Sequence, residues 1–539
     1  MTRRTFIMGA FACAVAQVKA RGVPLVRGGL MTDTHVRPTA ASFALLEKAY
    51  RMFRARGVDF ILNNGDVADV YSQEAYARYR DVADRIYANA ARRPLEIFTW
   101  ANHDRMGNAH PGDSAPYPAA FADFRKQLGF AHDMYARFDL GGFVFLLFPQ
   151  WPDWKRYERE IAAACRETPD KPVFVFDHEP PFGTVAASTR FGNVTRRRIL
   201  AKYPQVVNVS GHAHSSLRDE TNIWQGGFTA VGLGCLTSFD GILTGCSEAP
   251  GRNDCVVLFE LYSNCAVFRR FSLSDGTEIG AESPWTIIWP RKDEDYAPSR
   301  RAVKFSLPGF VSNARLSVEK DVLCGGLRAS VPVVLNPEMV ALYRFEYSMP
   351  SDNGKWRVFA RHERRGEYWK ARPARKFIVE DVLPWPVCAA GSPVRVAVVP
   401  VDFWGRAGMA LTCESRFEGR PCRCRWETLP TGLSSQGTVP FAGNAAFPLP
   451  MPIPSDLVSG SWLVVDAELD EVQDGTMLFA CEVGNFWRGD RCGVPAGKSR
   501  HRYAFALSPD AAGKSYQLVM RYGRGRVRFG NVCLVSPIS

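Results

Sequence analysis

Residues 58–69 are VDFILNNGDVAD, a largely apolar run to Leu62, two asparagines, and then Gly65 with Asp66 and Asp69. A helix is predicted on each side, over 42–56 and 73–87, because apolar residues recur there at helical spacing. The run 58–62 between them has the length and composition of a buried strand. The same kind of run recurs along the first half of the chain, at 95–100, 143–148, 173–176, 206–209, 255–261 and 266–271. Strands that alternate with helices predict a layered α/β domain, with boundaries at residues 23–288.

The second half of the chain has a different pattern. A length of 539 residues predicts two to four domains, at about 100–200 residues per domain. A Pro- and charge-rich stretch at 289–301 is interpreted as a linker, and residues 302–414 then show short β segments that predict an immunoglobulin- or fibronectin-like sandwich. A second linker is predicted at 415–454, and residues 455–539 predict a further β-sandwich domain of the jelly-roll type.

The N-terminus has the layout of an export signal. Residues 2–7, TRRTFI, precede an apolar run from Met8 to Ala16, and small residues suited to cleavage follow at 18–20. This order is typical of a secretory signal, and the paired arginines resemble a twin-arginine signal over residues 1–20. The run is too short for a membrane anchor, which needs about 20 apolar residues. The sequence therefore predicts an exported protein of the periplasm, cell envelope or extracellular space, with no transmembrane anchor.

The net charge indicates which ligands are favoured, and the cysteine content indicates the redox compartment. The net charge of +12 favours anionic ligands such as phosphate esters, nucleic acid or acidic glycans, although a solvated basic surface explains it equally well. Arg196–Arg198, the densest basic cluster of the first half, predicts either an exposed helix face or a phosphate clamp. Fourteen cysteines are compatible with an oxidising compartment. Removal of the signal takes Cys13 and leaves an odd number, so at least one thiol stays free.

Five short motifs carry the chemistry, and each follows a predicted strand. Carboxyl ends of strands are where ligand sites form in α/β sheets, so distant motifs can meet at one point. Carboxylate, amide oxygen and imidazole suit zinc, manganese or iron, and the set lacks the thiols of a purely structural zinc site. In chain order the motifs are Asp33-Thr34-His35, Gly65-Asp66-Val67-Ala68-Asp69, Asn102-His103-Asp104, His178 and Gly211-His212-Ala213-His214.

This ordered set resembles the calcineurin-like metallophosphoesterase superfamily, over about half of the chain from Asp33 to the strand pair near Phe271. The resemblance implies a layered α/β/β/α sandwich in the first domain. Ala101 departs from the family pattern, which has glycine there, and tests whether that turn needs a positive φ. The purple acid phosphatase branch is disfavoured, because Asp69 stands where that branch carries a metal-binding tyrosine.

The resemblance also implies roles for the site residues. Two divalent metal ions are expected, Mn, Fe, Zn or a mixed pair, and Asp66 would bridge them because two close cations need an anion between them. A metal-bound hydroxide would attack phosphorus in line. His103 would protonate the leaving oxygen, and Asp69 would bond its other ring nitrogen and fix the tautomer. The first metal would be held by Asp33, His35 and His214, and the second by Asn102, His178 and His212.

The predicted function is therefore an exported, metal-dependent hydrolase of phosphomonoesters or phosphodiesters, a phosphatase or phosphodiesterase. Two alternatives stay open: a non-catalytic envelope binding or adhesion protein that contacts glycan or cell wall through its β domains, and an extracellular nuclease of the same superfamily. The substrate is expected to be a small phosphoester, with nucleic acid also open, and loops around the site should select it. Rim aromatics either stack on a substrate or pack the loops, and these are Tyr117, Trp151, Trp154, Phe182 and Phe191.

Overall fold

The computed structural model describes most of the chain. The described residues are 22–37, 40–105, 117–236, 254–291, 294–320, 326–351, 354–366, 368, 378–383, 391–416, 424–430, 432–473, 476–483, 489–494 and 497–538. They form two compact units that divide after Phe305. The predicted export signal, residues 1–20, lies outside the described residues.

One mixed sheet of the first unit contains the first three strands of the chain. Its strands are β1 (Val26–Met31), β2 (Phe60–Asn63), β3 (Leu95–Phe98), β10 (Cys255–Leu261), β11 (Cys265–Ser272), β12 (Glu278–Ile279) and β13 (Trp285–Ile288). β1, β2 and β3 are parallel neighbours, so their carboxyl ends lie at one edge. β10 pairs antiparallel with β1, and β11 pairs antiparallel with β10, β12 and β13.

A second sheet follows the same principle. Its strands are β4 (Ala136–Leu140), β5 (Phe143–Leu147), β6 (Val173–Phe176), β7 (Val206–Ser210), β8 (Ile223–Gln225) and β9 (Thr229–Gly232). β5, β6, β7 and β9 run parallel, while β4 and β8 are antiparallel edge strands. The residues of β5, β6 and β7 are buried, as the continuous apolar runs of these parallel strands predict.

Helices cover the outer faces of the two sheets. The described helices of this unit are α1 (Ala40–Arg56), α2 (Gln73–Tyr87), α3 (Tyr117–Leu128), α4 (Trp154–Glu167), α5 (Ser188–Phe191), α6 (Val194–Leu200) and α7 (Pro298–Ala302). One core lies between the sheets, where Phe60 of β2 contacts Phe145 and Phe176 of the other sheet. α1, α2 and α3 pack on the first sheet, and α4 and α6 pack on the second. The predicted mixed α/β architecture is confirmed.

The stretch 289–301, which its Pro and charge content predicts to be a linker, is only partly exposed. Tyr296 and Arg301 are buried in the first unit, whereas Asp295 and residues 298–300 are exposed. Arg301 and Trp285 both donate to the carboxylate of Glu220, which is buried as well. The sequence does not indicate that Arg301 is buried, because Glu220, the carboxylate that neutralises it, is about 80 residues away in the sequence.

Seven strands at the start of the second unit form two small sheets. The strands are β14 (Ser317–Lys320), β15 (Leu327–Pro332), β16 (Leu342–Pro350), β17 (Trp356–Arg365), β18 (Ile378–Leu383), β19 (Pro393–Val401) and β20 (Leu411–Arg416). The first sheet has the order β14-β15-β18 and the second the order β17-β16-β19-β20, and all pairs are antiparallel. Alternate residues such as Val394, Val396 and Val398 are buried between the sheets, which explains the period-two pattern of the sequence.

The last sheet is organised around one long strand. Its strands are β21 (Cys424–Leu429), β22 (Val439–Pro448), β23 (Trp462–Val472), β24 (Met477–Glu482), β25 (Gly489–Gly493), β26 (Gly497–Ala506) and β27 (Tyr516–Pro537). β27 pairs with β21, β22, β23 and β24. Two sequence predictions are therefore wrong: β21 and β22 lie in the predicted linker 415–454, and the two strands predicted over 516–522 and 527–535 are one. Gly523 and Gly525, which suggest a turn, lie within this strand.

A buried polar cluster joins the two small sheets. Asp381 of β18 accepts hydrogen bonds from Tyr347 and Arg364, and His362 Nδ1 lies 2.7 Å from its Oδ2. Burial alone raises the pKa of the Asp381 carboxyl, but His362 and Arg364 more than offset this and hold that pKa well below its usual range. The cluster thus contains a buried carboxylate that three side chains contact.

Asp381→Asn is expected to lower the free energy of unfolding of the second unit by about 3–5 kcal/mol, because removal of one partner from a buried charged network is strongly destabilising, and His362 and Arg364 would lose the carboxylate that they contact. The depressed pKa means that the stabilisation is present above about pH 4 and is lost as pH falls further. The variant should accordingly lose less stability than the wild type on acidification. Urea denaturation of the full chain, near neutrality and in acid, measures both effects.

Glu414→Gln is the matched control, because Glu414 pairs with Arg395 across an exposed surface at 2.6 Å. Exposed pairs of this kind contribute less than about 1 kcal/mol. Equal losses of stability in the two variants would contradict the prediction for Asp381.

No helix within the described parts of the chain is both long and apolar enough to cross a membrane.

Candidate metal centre

The predicted site residues meet at the carboxyl ends of the parallel strands. Asp33 and His35 follow β1, Asp66 follows β2, and Asn102 follows β3. From the second sheet, His178 follows β6, and the loop after β7 carries the last two histidines, His212 and His214. Loops from both sheets therefore contribute side chains to one place, as the strand-end argument predicts.

These side chains form two groups that share one carboxylate. Ligand atoms lie within 4.8 Å of one another in the group Asp33, His35, Asp66 and His214, and likewise in the group Asp66, His178 and His212. In the first group, His214 Nε2 is 2.9 Å from Asp33 Oδ1 and 3.1 Å from His35 Nε2. In the second, His178 Nε2 is 3.1 Å from Asp66 Oδ2. Asp66 thus lies where a bridge between two cations would lie.

The chemistry of the donors fits a pair of divalent cations. Among the described residues, Asn102 Oδ1 is a buried side-chain oxygen that has no hydrogen-bond partner. Buried polar atoms are normally hydrogen-bonded, so this oxygen is a candidate metal ligand. Oxygen and imidazole nitrogen donors suit zinc, manganese or iron. The residues of the site are therefore suited to hold two metal ions.

The electrostatics of the site couple metal binding to protons. Burial lowers the pKa of His178, but Asp66 and Asp33 outweigh burial and raise it to about 9. Burial also lowers the pKa of His35, but Asp33 and Asp69 outweigh burial and raise it to about 10. Burial and then His178 lower the pKa of His212 to about 3. A metal must displace protons from His35 and His178, so uptake releases protons.

Backbone atoms fix the orientation of two ligands. His178 Nδ1 is 2.7 Å from the carbonyl oxygen of Asn64, which only accepts, so Nδ1 carries the proton and Nε2 stays available for a metal. Asp33 Oδ2 accepts from Thr32 Oγ1 at 2.7 Å and from the backbone N–H of His212 at 2.9 Å. The opposite oxygen, Oδ1, faces His214.

The loops that carry the ligands have unusual backbone conformations. Most non-glycine residues with positive φ in the described chain belong to the site. Such conformations cost free energy and persist where the surrounding structure holds them, commonly at functional sites. Ala101 is absent from this set, so its turn does not need the glycine of the family pattern. The ligands with positive φ are Asp33, His35, Asp66, His212 and His214.

Gly65→Ala is expected to weaken metal binding at the second group by at least about tenfold. Gly65 has φ +100°, and a Cβ there would lie 2.5 Å from His178 Nδ1. The variant must therefore displace a ligand ring. Gly57→Ala is the control, because Gly57 has φ +61° and an added Cβ would have no atom within 4 Å. Manganese content after dialysis measures the difference, and equal content in both variants would contradict the steric argument.

His103 lies at the open side of the site. Its side chain is 38% exposed, its backbone N–H donates to Asp66 Oδ1 at 3.0 Å, and its Nε2 is 4.0 Å from Asp66 Oδ2. Its Nδ1 bonds the backbone carbonyl of Asp69. The Asp69 carboxylate lies instead 3.5 Å from His35 Nδ1 and 2.8 Å from Arg37 Nε. The contact expected from the Asp69 side chain is thus made by its main chain.

One residue that supports the site, Asp104, is not assigned a role by the sequence. Asp104 is fully buried and accepts from the backbone N–H groups of Val67 and Ala68 and from Tyr76. Burial and the nearby charge of Asp66 raise the Asp104 pKa to about 7. Asp104 therefore fixes the loop that carries Asp66. Its place beside Asn102 and His103 in the third motif is the one signal that the sequence offers.

The rim residues are placed unevenly by the structure. Phe191 lies edge-on to the ring of His212, with centroids 6.0 Å apart. Arg105 lies over the ring of Trp151 at 4.7 Å, and Trp154 packs against Tyr157 of α4. Phe182 is 41% exposed. Residues 106–116 and the side chain of Tyr117 lie outside the described part of the chain.

Residues 29–216 match the family model for calcineurin-like phosphoesterases. This part of the chain, which contains every residue of the two groups, is a domain of that family. Members of the family usually bind two divalent metals. A comparison with curated proteins found no match.

Three solved structures that resemble the chain do so only distantly. A purple acid phosphatase from yellow lupin (Lupinus luteus) seeds is 16% identical, with a TM-score of 0.35, over 50% of this chain and 55% of its own. A Bacteroides ovatus protein of a mixed-linkage glucan utilization locus is 12% identical, with a TM-score of 0.14, over 54% and 63%. A Bacteroides uniformis β-glucuronidase is 9% identical, with a TM-score of 0.20, over 94% and 65%. The chain thus spans about half of the phosphatase, and none of these likenesses indicates an activity.

Proposed function

We propose that this protein is an exported dinuclear-metal phosphoesterase that hydrolyses small phosphomonoesters or phosphodiesters. The observation that carries the proposal is the sharing of Asp66 between two groups of ligand atoms, each within 4.8 Å. Asp33, His35 and His214 would hold one cation, and Asn102, His178 and His212 the other. The domain family supports the reaction class.

When bound, such a metal pair supplies Lewis acidity and an activated water. The residues of the chain bind and orient the reactants. Because Nδ1 of His103 bonds a carbonyl oxygen, which only accepts, Nδ1 carries a proton and Nε2 is the nitrogen that exchanges a proton. The side chain is 38% exposed, and Nε2 lies 4.0 Å from Oδ2 of Asp66, the proposed bridging carboxylate. His103 is therefore assigned to protonation of the leaving group.

The remaining features concern location and the second unit. The arginine pair and apolar run of residues 1–20 support export to the periplasm or beyond. The order β14-β15-β18 and β17-β16-β19-β20 supports a fibronectin- or immunoglobulin-like module, because such modules pack a three-stranded against a four-stranded antiparallel sheet. The last sheet is proposed to be jelly-roll-like. These two modules would contact glycan or cell wall.

Metal removal and restoration test the proposed activity. Chelated, metal-free protein is expected to hydrolyse neither p-nitrophenyl phosphate nor bis-p-nitrophenyl phosphate, and added manganese, zinc or iron should restore cleavage of at least one. The preferred ester would separate monoesterase from diesterase. Binding should release protons, which calorimetry in buffers of different ionisation enthalpy measures, because His35 and His178 are protonated without metal. Failure to bind any of these metals would overturn the proposal.

A further inference from the structure

Arg196 of α6 is a fully buried cation close to the metal centre. Its guanidinium contacts two segments that each adjoin a predicted ligand. Nε lies 2.8 Å from Asp177 Oδ2, Nη1 donates to the carbonyl oxygen of Glu179 at 2.8 Å, and Nη2 donates to the carbonyl oxygen of Gln150 at 3.0 Å. The sequence predicts an exposed helix face or a phosphate clamp for this cluster, and the burial of Arg196 contradicts the exposed face.

The first segment carries His178 between two residues that contact Arg196. Asp177 is buried and also accepts from Tyr157 at 2.9 Å and from Asn208 at 2.8 Å. Glu179 Oε2 accepts a second bond from Arg196 at 3.1 Å. Residues on both sides of the ligand are thus tied to one planar cation.

The second segment carries Asn102 through a single intermediate. Gln150 is buried, its carbonyl oxygen accepts from Arg196, and its side-chain Oε1 accepts from the backbone N–H of Asn102 at 2.8 Å. Arg196 is therefore connected to two of the three residues proposed for the second cation, on loops from different sheets. Within the described chain, the hydrogen bonds and ion pair of its guanidinium are to Asp177, Glu179 and Gln150, none of which lies in the loop of Asp33 and His35.

Helix α6 holds Arg196 in place. Asn193 caps the helix, since its Oδ1 accepts from the backbone N–H of Arg196 at 3.0 Å. Asn193 Nδ2 also donates to Glu179 Oε2 at 3.1 Å. The cap and the guanidinium thus contact the same carboxylate, and the fork geometry of arginine suits such multiple contacts better than lysine does.

We propose that Arg196 is a positioning residue for the second metal ion, which sets the distance between the loop of Asn102 and the loop of His178. This inference rests on the proposed two-metal function. It concerns a residue that touches neither metal nor substrate. Removal of a group that orients a metal ligand typically lowers metal affinity by about 10–100-fold.

The test titrates metal-free full-length protein with manganese and follows binding by calorimetry and electron paramagnetic resonance. Arg196→Met is expected to keep one tight manganese ion and to bind the second about 10–100-fold more weakly. The spectrum of a coupled manganese pair should give way to that of isolated ions. Arg196→Lys, which keeps the charge but not the fork, should show the same selective loss to a smaller degree.

Arg270→Met is the matched control. Arg270 is equally buried in the same unit, donates to the Leu217 carbonyl at 2.8 Å and pairs with Glu220 at 3.0 Å. This variant should lose stability but bind both ions as the wild type does. A selective loss in the Arg196 variants alone supports the inference, since general destabilisation would affect Arg270→Met as well.

Wild-type affinity for both ions in Arg196→Lys and Arg196→Met would overturn the inference, and so would an equal loss in Arg270→Met. If Arg196→Met does not fold, the decision rests on Arg196→Lys. Fewer than two ions bound by the wild type is a different failure. It would contradict the proposed function itself and remove the basis of the inference.

Discussion

Asp66→Asn is expected to abolish the paired metal centre while the domain stays folded. Asp66 is the carboxylate shared by both groups, and amide substitution removes the negative charge between two cations. The value of kcat/KM should fall by at least about 10³-fold, on the order of 4 kcal/mol of transition-state stabilisation. Metal analysis should show the loss of at least one ion per chain.

Asp59→Asn provides the same chemical change at the other end of β2. Asp59 precedes that strand and pairs with Arg92 at 3.0 Å on the surface. This variant should keep both metal ions and the wild-type rate. Full activity in Asp66→Asn would rule out the bridging role, whatever happens to the control.

His103→Ala is expected to lower kcat by about 10²–10⁴-fold without loss of metal, because a proton donor is removed while every proposed ligand remains. The loss should depend on the leaving group. A p-nitrophenolate departs without much help from an acid, whereas an alkyl alkoxide needs a proton. Rates for p-nitrophenyl and alkyl phosphates, with metal content measured on the same samples, give the comparison.

His132→Gln tests whether removal of any histidine in this unit has the same result. His132 Nε2 accepts from the backbone N–H of Phe98, and its ring stacks on Phe130, so it supports packing away from the ligands. Its substitution should lower stability but leave kcat unchanged. An equal loss with both leaving groups in His103→Ala would contradict the role of His103 as the acid.

Local patterns predict much of the first unit. Helix α2 has the predicted bounds 73–87, since its buried face repeats at helical spacing and Ser72 caps its start. Strands β6 and β10 also have their predicted bounds. Parallel strands bring their carboxyl ends to one edge of a sheet, which accounts for the first three motifs together and, in the other sheet, for the last two. The meeting of these two sets depends on how the sheets pack, which strand ends alone do not predict.

Features that depend on distant partners are not predictable in this way. Arg196 belongs to an arginine triplet that suggests a solvated helix face, yet Asp177 and Glu179 compensate its charge in the interior. Whether His103 contacts the backbone carbonyl or the carboxylate of Asp69 depends on the conformation of the loop that carries Asp69. β22 is predicted as part of a linker because its glycine and prolines resemble turn signals, although pairing with β27 makes it a strand.

The central position of β27 has a consequence for how the last sheet assembles. Four strands pair with it, and the pairs join residues such as Thr428 and Cys533, which are about 100 positions apart. Such a sheet cannot nucleate from neighbouring hairpins alone, because loop closure must be achieved before most backbone bonds form. Refolding of this sheet should therefore be slow compared with helix formation. Before β27 pairs, β21 to β24 would expose unpaired edges, and the partly folded chain would be prone to self-association.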